Sequence, residues 1–217
     1  MKKNIPVWVF DLDDTLYPRE SGLWSQISQR ISHYVKNQMA LDDIALKEKR
    51  QFYYQTYGGA LQGMMKESQV DVDDFLSYVH DVDYSPLKKN QALHNILSAL
   101  KGKKYIFTNA DRPHAQRTLK AIGLTNIFDD IYDITAAKLK PKPFVQTYHN
   151  FLSKYQLEAS NIVMFEDSLK NLEICKQLGM TTILIAEKIS PQPSYIDFQA
   201  ESLLDIFEKE DFKNKYL

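Results

Sequence analysis

The chain has a single cysteine, Cys175, so no disulfide can close within it. That usage fits a reducing compartment. Glycine and proline are sparse, seven and eight in 217 residues, which excludes collagen-like and low-complexity chains. No apolar run approaches the roughly 20 residues needed to cross a bilayer. The opening "MKKNIPVWVF" has too short an apolar run for a signal peptide, the charge of Asp11 interrupts it, and no small-residue cleavage site appears. The formal net charge is −1, with no basic patch, so nothing draws the chain toward a nucleic acid polymer or a membrane surface. There is no repeat at solenoid spacing. The expectation is a cytoplasmic globular protein, long enough for one sizeable domain or a core with an insert.

What is present alternates in character. Val7 to Leu12 begins β-branched and aromatic and reads as a short buried strand. From Leu23 to Met39, apolar residues recur at helical spacing. Asp42 or Asp43 caps a second helix that breaks at Gly58-Gly59, and "ALQGMMKES" and "DVDDFLSYVHDV" supply two more helical pieces. After Ser85-Pro86 helices and strands alternate: a helix from Lys88 to Leu100, "KYIF", a helix from Pro113 to Gly123, a strand over 131–134, a helix to about Tyr155, "IVMF", a helix ending near Gly179, and "TTILIA". The segment from about Ser190 finishes with a helix over Leu203 to Glu208. Alternation of this kind implies right-handed βαβ units in a parallel sheet. The expected fold is α/β, a Rossmann-like parallel sheet, with residues 1–18 and 86–217 as the core domain and 19–85 as a helical insert.

In such sheets ligands bind beyond the carboxyl ends of the strands. Polar residues gather there: Asp11, Asp13 and Asp14 after the first strand, Thr108 and Asn109 after "KYIF", Lys140 in the loop "AAKLKPKP", and Glu166 and Asp167 after "IVMF". Taken singly, each is an ordinary turn, cap or solvated residue. Together they suit phosphoryl transfer. A carboxylate attacking a phosphate dianion meets like-charge repulsion, which a divalent cation and a lysine relieve. Asp11 and Asp167 supply oxygens for the cation, Lys140 a second positive charge, Thr108 a phosphate donor, and Asp13 an acid and base. Cys175, at helical spacing from Leu172 and Leu178, reads as core.

"DLDDT", "TN", the lysine before "PKP" and "FEDS", in that order over residues 7 to about 186, resemble the four motifs of haloacid dehalogenase-like hydrolases. The helical insert resembles that superfamily's first type of cap domain. "DLDDTLYP", "YGGALQGMM" and "FTNADRPHAQRTLKAIGL" resemble its pyrimidine 5′-nucleotidase branch. The resemblance implies Asp11 as nucleophile through an aspartyl-phosphate, Asp13 as general acid and base, and Thr108 with Asn109 as phosphate ligands. It implies Lys140 as the lysine orienting Asp11, preferred to Lys138 and Lys142 because Pro141 follows it. It implies Mg²⁺ held by Asp11, Asp167 and the backbone carbonyl of Asp13, with Glu166 in or beside that shell. The substrate implied is a small phosphorylated molecule, a pyrimidine nucleoside monophosphate, with Tyr53, Tyr54 and Tyr57 available to meet the base. The rivals are a phosphatase of another small metabolite such as a sugar phosphate, a phosphosugar mutase, a dehalogenase, which needs no acid at Asp13, and a non-catalytic binding protein, which would not need Asp11, Asp13 and a lysine together.

Overall fold

A computed structural model describes residues 5–187 and 191–217. The first four residues of the N-terminal stretch, and the expected start of the last segment near Ser190, lie outside the described residues. Six strands form one parallel sheet in the order β3-β2-β1-β4-β5-β6. They are β1 (Val7–Phe10), β2 (Lys104–Phe107), β3 (Asp130–Tyr132), β4 (Ile162–Glu166), β5 (Thr181–Ile185) and β6 (Phe198–Ala200). β1 is central: Phe10 registers with Ile106 on one side and Phe165 on the other. Strand order therefore reverses at β1, which places the crevice for a ligand directly beyond Phe10.

Four helices lie between β1 and the following βα units: α1 (Leu23–Met39), α2 (Asp43–Tyr57), α3 (Ala60–Glu67) and α4 (Val72–Val79). Asp42 caps α2 by accepting from the Ala45 amide, and α2 ends at Gly58, whose φ of 83° is left-handed, as the sequence predicts. These helices share a core of Tyr34, Val35, Tyr53, Leu61, Met64, Phe75, Leu76 and Val79. A Cβ on Gly63 would lie 2.2 Å from the Tyr53 ring, so only glycine lets α3 approach α2 there.

The remaining helices are α5 (Gln91–Ala99), α6 (Arg112–Ile122), α7 (Val145–Tyr155), α8 (Leu169–Gln177), α9 (Leu203–Glu208) and α10 (Glu210–Tyr216). They cover both faces of the sheet. Trp8 and Phe10 pack with residues of α5, α6, α9 and α10, and Phe10 stacks on Phe165 at 4.5 Å. Val9 faces the other side, toward Tyr148, Phe151, Leu172 and the buried Cys175 of α7 and α8. Strand β6 and helix α10 are not expected from the sequence: the three residues of β6, Phe-Gln-Ala, carry no alternation that can be recognised, and the expected last helix stops at Glu208. Among the described residues no helix is long and apolar enough to cross a membrane.

Asp130 at the edge of this sheet yields a pH prediction. Burial would raise its carboxyl, but Tyr155, Arg112 and the Ile131 amide outweigh burial and hold it down at about 2. A depressed carboxylate contributes stability above its unfolded pKa that is lost as pH falls toward the folded value. Asp130→Asn is therefore expected to lower Tm at pH 7 and to flatten the fall in Tm between about pH 4 and 2. Thermal melts across that range check it. An unchanged acid limb would show that Asp130 carries none of the acid sensitivity.

Candidate active site

The loops after β1, β2 and β4, and the one before α7, meet at a cavity of ≈ 570 Å³. Asp11, Asp13, Thr108, Asn109, Lys142, Glu166 and Asp167 line it from the sheet, and Trp24, Arg50, Tyr54 and Phe75 from the helical block. At its centre is the Lys142 ammonium, fully buried, with its three hydrogens on three acceptors: Asp11 Oδ1, Glu166 Oε2 and the Phe107 carbonyl, each at 2.7 Å. Burial opposes this charge, yet Asp11 and Glu166 hold the ammonium above its ordinary range.

Lys142, not Lys140, is thus the lysine that meets Asp11, a correction to the expectation. The chain after Ala137 turns through two left-handed residues, Lys138 and Leu139. The Lys140 side chain points outward and is exposed, while its carbonyl accepts from Thr147. Asn109 then clamps the backbone of Lys142 at both ends: its Oδ1 accepts from the Lys142 amide at 2.7 Å, and its Nδ2 donates to the Lys142 carbonyl at 3.0 Å. Asn109 accordingly orients the lysine loop with the side chain expected to hold phosphate. Thr108 is buried and lines the cavity, its hydroxyl oxygen accepting from the Ala110 amide.

The acidic side of the site is crowded. Carboxylate oxygens of Asp11, Glu166 and Asp167 all lie within 4.8 Å of one another. Burial, and then the charge of Asp11, push Glu166 and Asp167 up from ordinary carboxylate values. Burial likewise raises Asp14, whose Oδ1 is buried without a hydrogen bond from the described residues. Arg19 offsets part of this, reaching Asp14 at 3.1 Å and Asp167 at 3.2 Å. Four carboxylates, Asp11, Asp14, Glu166 and Asp167, still share two cations, Lys142 and Arg19. A hard divalent cation fits that donor set and that deficit. Glu166 is committed elsewhere on both oxygens, to Lys142 and to Asn171 Nδ2 at 2.9 Å, so it sets the lysine in place while bordering the cluster.

Asp13 turns its carboxylate away from the trio. Its Oδ1 accepts from the Tyr17 hydroxyl at 2.5 Å and pairs with His114 Nε2 at 2.8 Å. Burial would raise this carboxyl, but His114, Tyr17 and His80 outweigh it and hold it below its ordinary value. His114 Nδ1 meets the Tyr84 hydroxyl at 2.9 Å, and the His80 ring stacks on His114 at 4.5 Å. His80 Nδ1 lies 3.1 Å from Asp111 Oδ1, off hydrogen-bond alignment. Arg117 donates to both Tyr84 Oη and the His80 carbonyl. Sequence reasoning missed this set. His114 carries a signal only as the inward position of an amphipathic helix, with Ala115, Thr118 and Ile122.

Of the three tyrosines expected near a base, only Tyr54 lines the cavity, with Lys170 4.7 Å above its ring. Tyr53 is buried inside the helical block, and Tyr57 packs on Phe52. Arg50, four residues before Tyr54, has only neutral hydrogen-bond partners among the described residues: the Ser28 carbonyl and the hydroxyls of Ser28 and Ser32.

The sequence profile of the haloacid dehalogenase-like hydrolase family matches residues 8–185. The chain is 30% identical over 200 residues to Phosphate metabolism protein 8 of Saccharomyces cerevisiae, a match covering 82% of this chain and 60% of that protein. It thus spans less than two thirds of that relative's length. A HAD phosphatase from Thermococcus onnurineus shares the fold at a TM-score of 0.61 and 16% identity, over 94% of this chain and 96% of that one. The L-2-haloacid dehalogenase of Xanthobacter autotrophicus, with chloropropionic acid covalently bound, does so at 0.58 and 16%, over 93% and 96%.

Proposed function

Because the chain belongs to the haloacid dehalogenase-like hydrolase family, we propose that it is a phosphomonoesterase working through an aspartyl-phosphate on Asp11, with pyrimidine nucleoside 5′-monophosphates as substrates. One observation carries the reading: a buried ammonium joins Asp11 to Glu166, while a separately anchored carboxylate, Asp13, stands two residues further on in the same cavity. A carboxylate nucleophile and an independent acid are what ester hydrolysis requires. Displacement of halide needs only the first, so the anchoring of Asp13 disfavours a dehalogenase.

Asp11, Asp167 and the Asp13 carbonyl would hold Mg²⁺, which when bound would supply charge that lets a dianion approach the carboxylates. Asp11 attacks phosphorus as the ester P–O bond breaks, and the leaving oxygen takes a proton from Asp13. Asp13 then removes a proton from water, whose oxygen attacks phosphorus and frees Asp11 and inorganic phosphate. Lys142 orients Asp11, and Thr108 donates to a phosphate oxygen. The network around Asp13 favours its ionised form, the one that deprotonates water, and the approaching dianion raises its proton affinity for the first step.

Residues 19–85 act as a cap that closes over the leaving group and excludes water. Selectivity arises there, since the sheet loops meet only the phosphate. Arg50 supports a leaving group with a planar carbonyl. Its Nε–H and one Nη2–H have no acceptor among the described residues, and Tyr54 on the same helix offers a ring to stack on.

Phosphate release measured for UMP, CMP, AMP, GMP and a sugar phosphate, with Mg²⁺ and with excess EDTA, tests the proposal. Higher kcat/KM for UMP and CMP, lost in EDTA, is the expected result. A purine nucleotide or sugar phosphate turned over faster than both pyrimidines would refute the substrate, and undiminished turnover in EDTA the cation.

A further inference from the structure

Both donors to Asp13 land on one oxygen. Tyr17 Oη and His114 Nε2 converge on Oδ1, and Oδ2 receives nothing from the described residues, on a side chain that lines the cavity. A carboxyl whose one oxygen is saturated with donors carries its exchangeable proton on the other. The ring that enforces this is completely buried on α6, and both of its nitrogens are engaged. An ionised carboxylate only accepts, so Nε2 presents its hydrogen to Asp13, while Nδ1 faces the Tyr84 hydroxyl, which also donates to the His80 carbonyl at 3.1 Å. Packing alone does not call for this arrangement. An apolar ring of similar size would stack on His80 equally well, without placing a titratable group against a buried carboxylate.

We propose that His114 is a positioning residue for Asp13, pinning Oδ1 so that Oδ2 is the atom that gives its proton to the leaving group and takes one from water. Tyr84 sets the histidine's orientation. The inference rests on the reading of Asp13 as acid and base.

The test compares His114→Asn, whose amide is too short to reach Asp13, with His114→Gln, whose Nε2 falls near that of the histidine. Each is assayed on the alkyl phosphate turned over best and on p-nitrophenyl phosphate, whose leaving group needs no proton. His114→Asn is expected to lower kcat/KM roughly 10²-fold on the alkyl ester, as for a catalytic group misplaced by about 1 Å, and about 10-fold or less on the aryl ester. His114→Gln should recover most of the alkyl loss. In an Asp13→Ala background, His114→Asn should add nothing. Equal losses on the two esters, no rescue by glutamine, or additivity with Asp13→Ala would each overturn the inference. If neither variant folds, Tyr84→Phe, which removes one hydroxyl, should show the same bias at roughly 3–10-fold, and its absence would overturn the inference too. Asp13→Ala on the same ester pair separates the two readings. No bias there removes the acid role itself, whereas bias there without bias at residue 114 removes only the role of His114.

Discussion

Asp11→Asn is expected to reduce turnover by roughly 10⁴-fold or more, the order seen when a covalent nucleophile is removed, while leaving the fold as stable as before or more so. The two effects have one cause. Burial raises the Asp11 carboxyl above its ordinary value, so the folded protein bears a cost for its charge. The amide keeps the size, removes one of four crowded carboxylates, and leaves Lys142 paired with Glu166 at 2.7 Å. Phosphate release and a thermal melt on the same preparation check it. Full activity would sink Asp11 as nucleophile, and a large fall in Tm would sink the account of crowding.

Lys142→Met is expected to behave in the opposite way, losing both activity and stability. Removal of the ammonium strands Asp11 and Glu166 in a buried site, and breaking a buried pair by deleting one partner costs about 3–5 kcal/mol. Activity should fall roughly 10³-fold, as the Asp11 carboxylate loses its orienting donor and the developing charge loses a cation of the protein. Lys140→Met should change stability by no more than about 0.5 kcal/mol, as is usual for an exposed side chain, and should retain turnover. Parallel melts and assays of the two variants decide it. Comparable losses in both would mean that the exposed lysine takes part after all.

That pair also shows where the sequence stops being readable. In "KLKPKP" both Lys140 and Lys142 precede a proline. The choice between them is made by two left-handed residues, Lys138 and Leu139, and by Asn109, a residue more than 30 positions away. The left-handed turn falls on a lysine and a leucine, residue types that give no sign of it, and Asn109 lies outside the six. The aspartates were legible because they end β1 and β4, where a parallel sheet gathers its ligands, and the αβ alternation that defines those strands is long and periodic. The cap at Asp42 and the stops at Gly58 and Gly123 were legible because each depends on one residue's local chemistry. His114 was not. It meets Asp13 across 101 positions, and in the pattern of α6 it is simply one inward residue. Tyr53 shows the same limit in reverse, since an aromatic suited to a ligand is instead packed over Gly63.

The helical block has two stems, and they differ. The outgoing stem turns through the left-handed Gly22 between Arg19, which pairs with Asp14 and Asp167, and Gln26, which bonds Asp83 of the returning stem twice. The returning stem is riveted: Arg117 grips the His80 carbonyl and Tyr84, and Tyr84 grips His114. The contacts that fasten the returning stem therefore also hold the ring that anchors Asp13. Residues 80 and 84 of the returning stem and Asp13 of the first strand's loop thus meet through one imidazole, so a substitution at Tyr84 reaches the cavity without lining it.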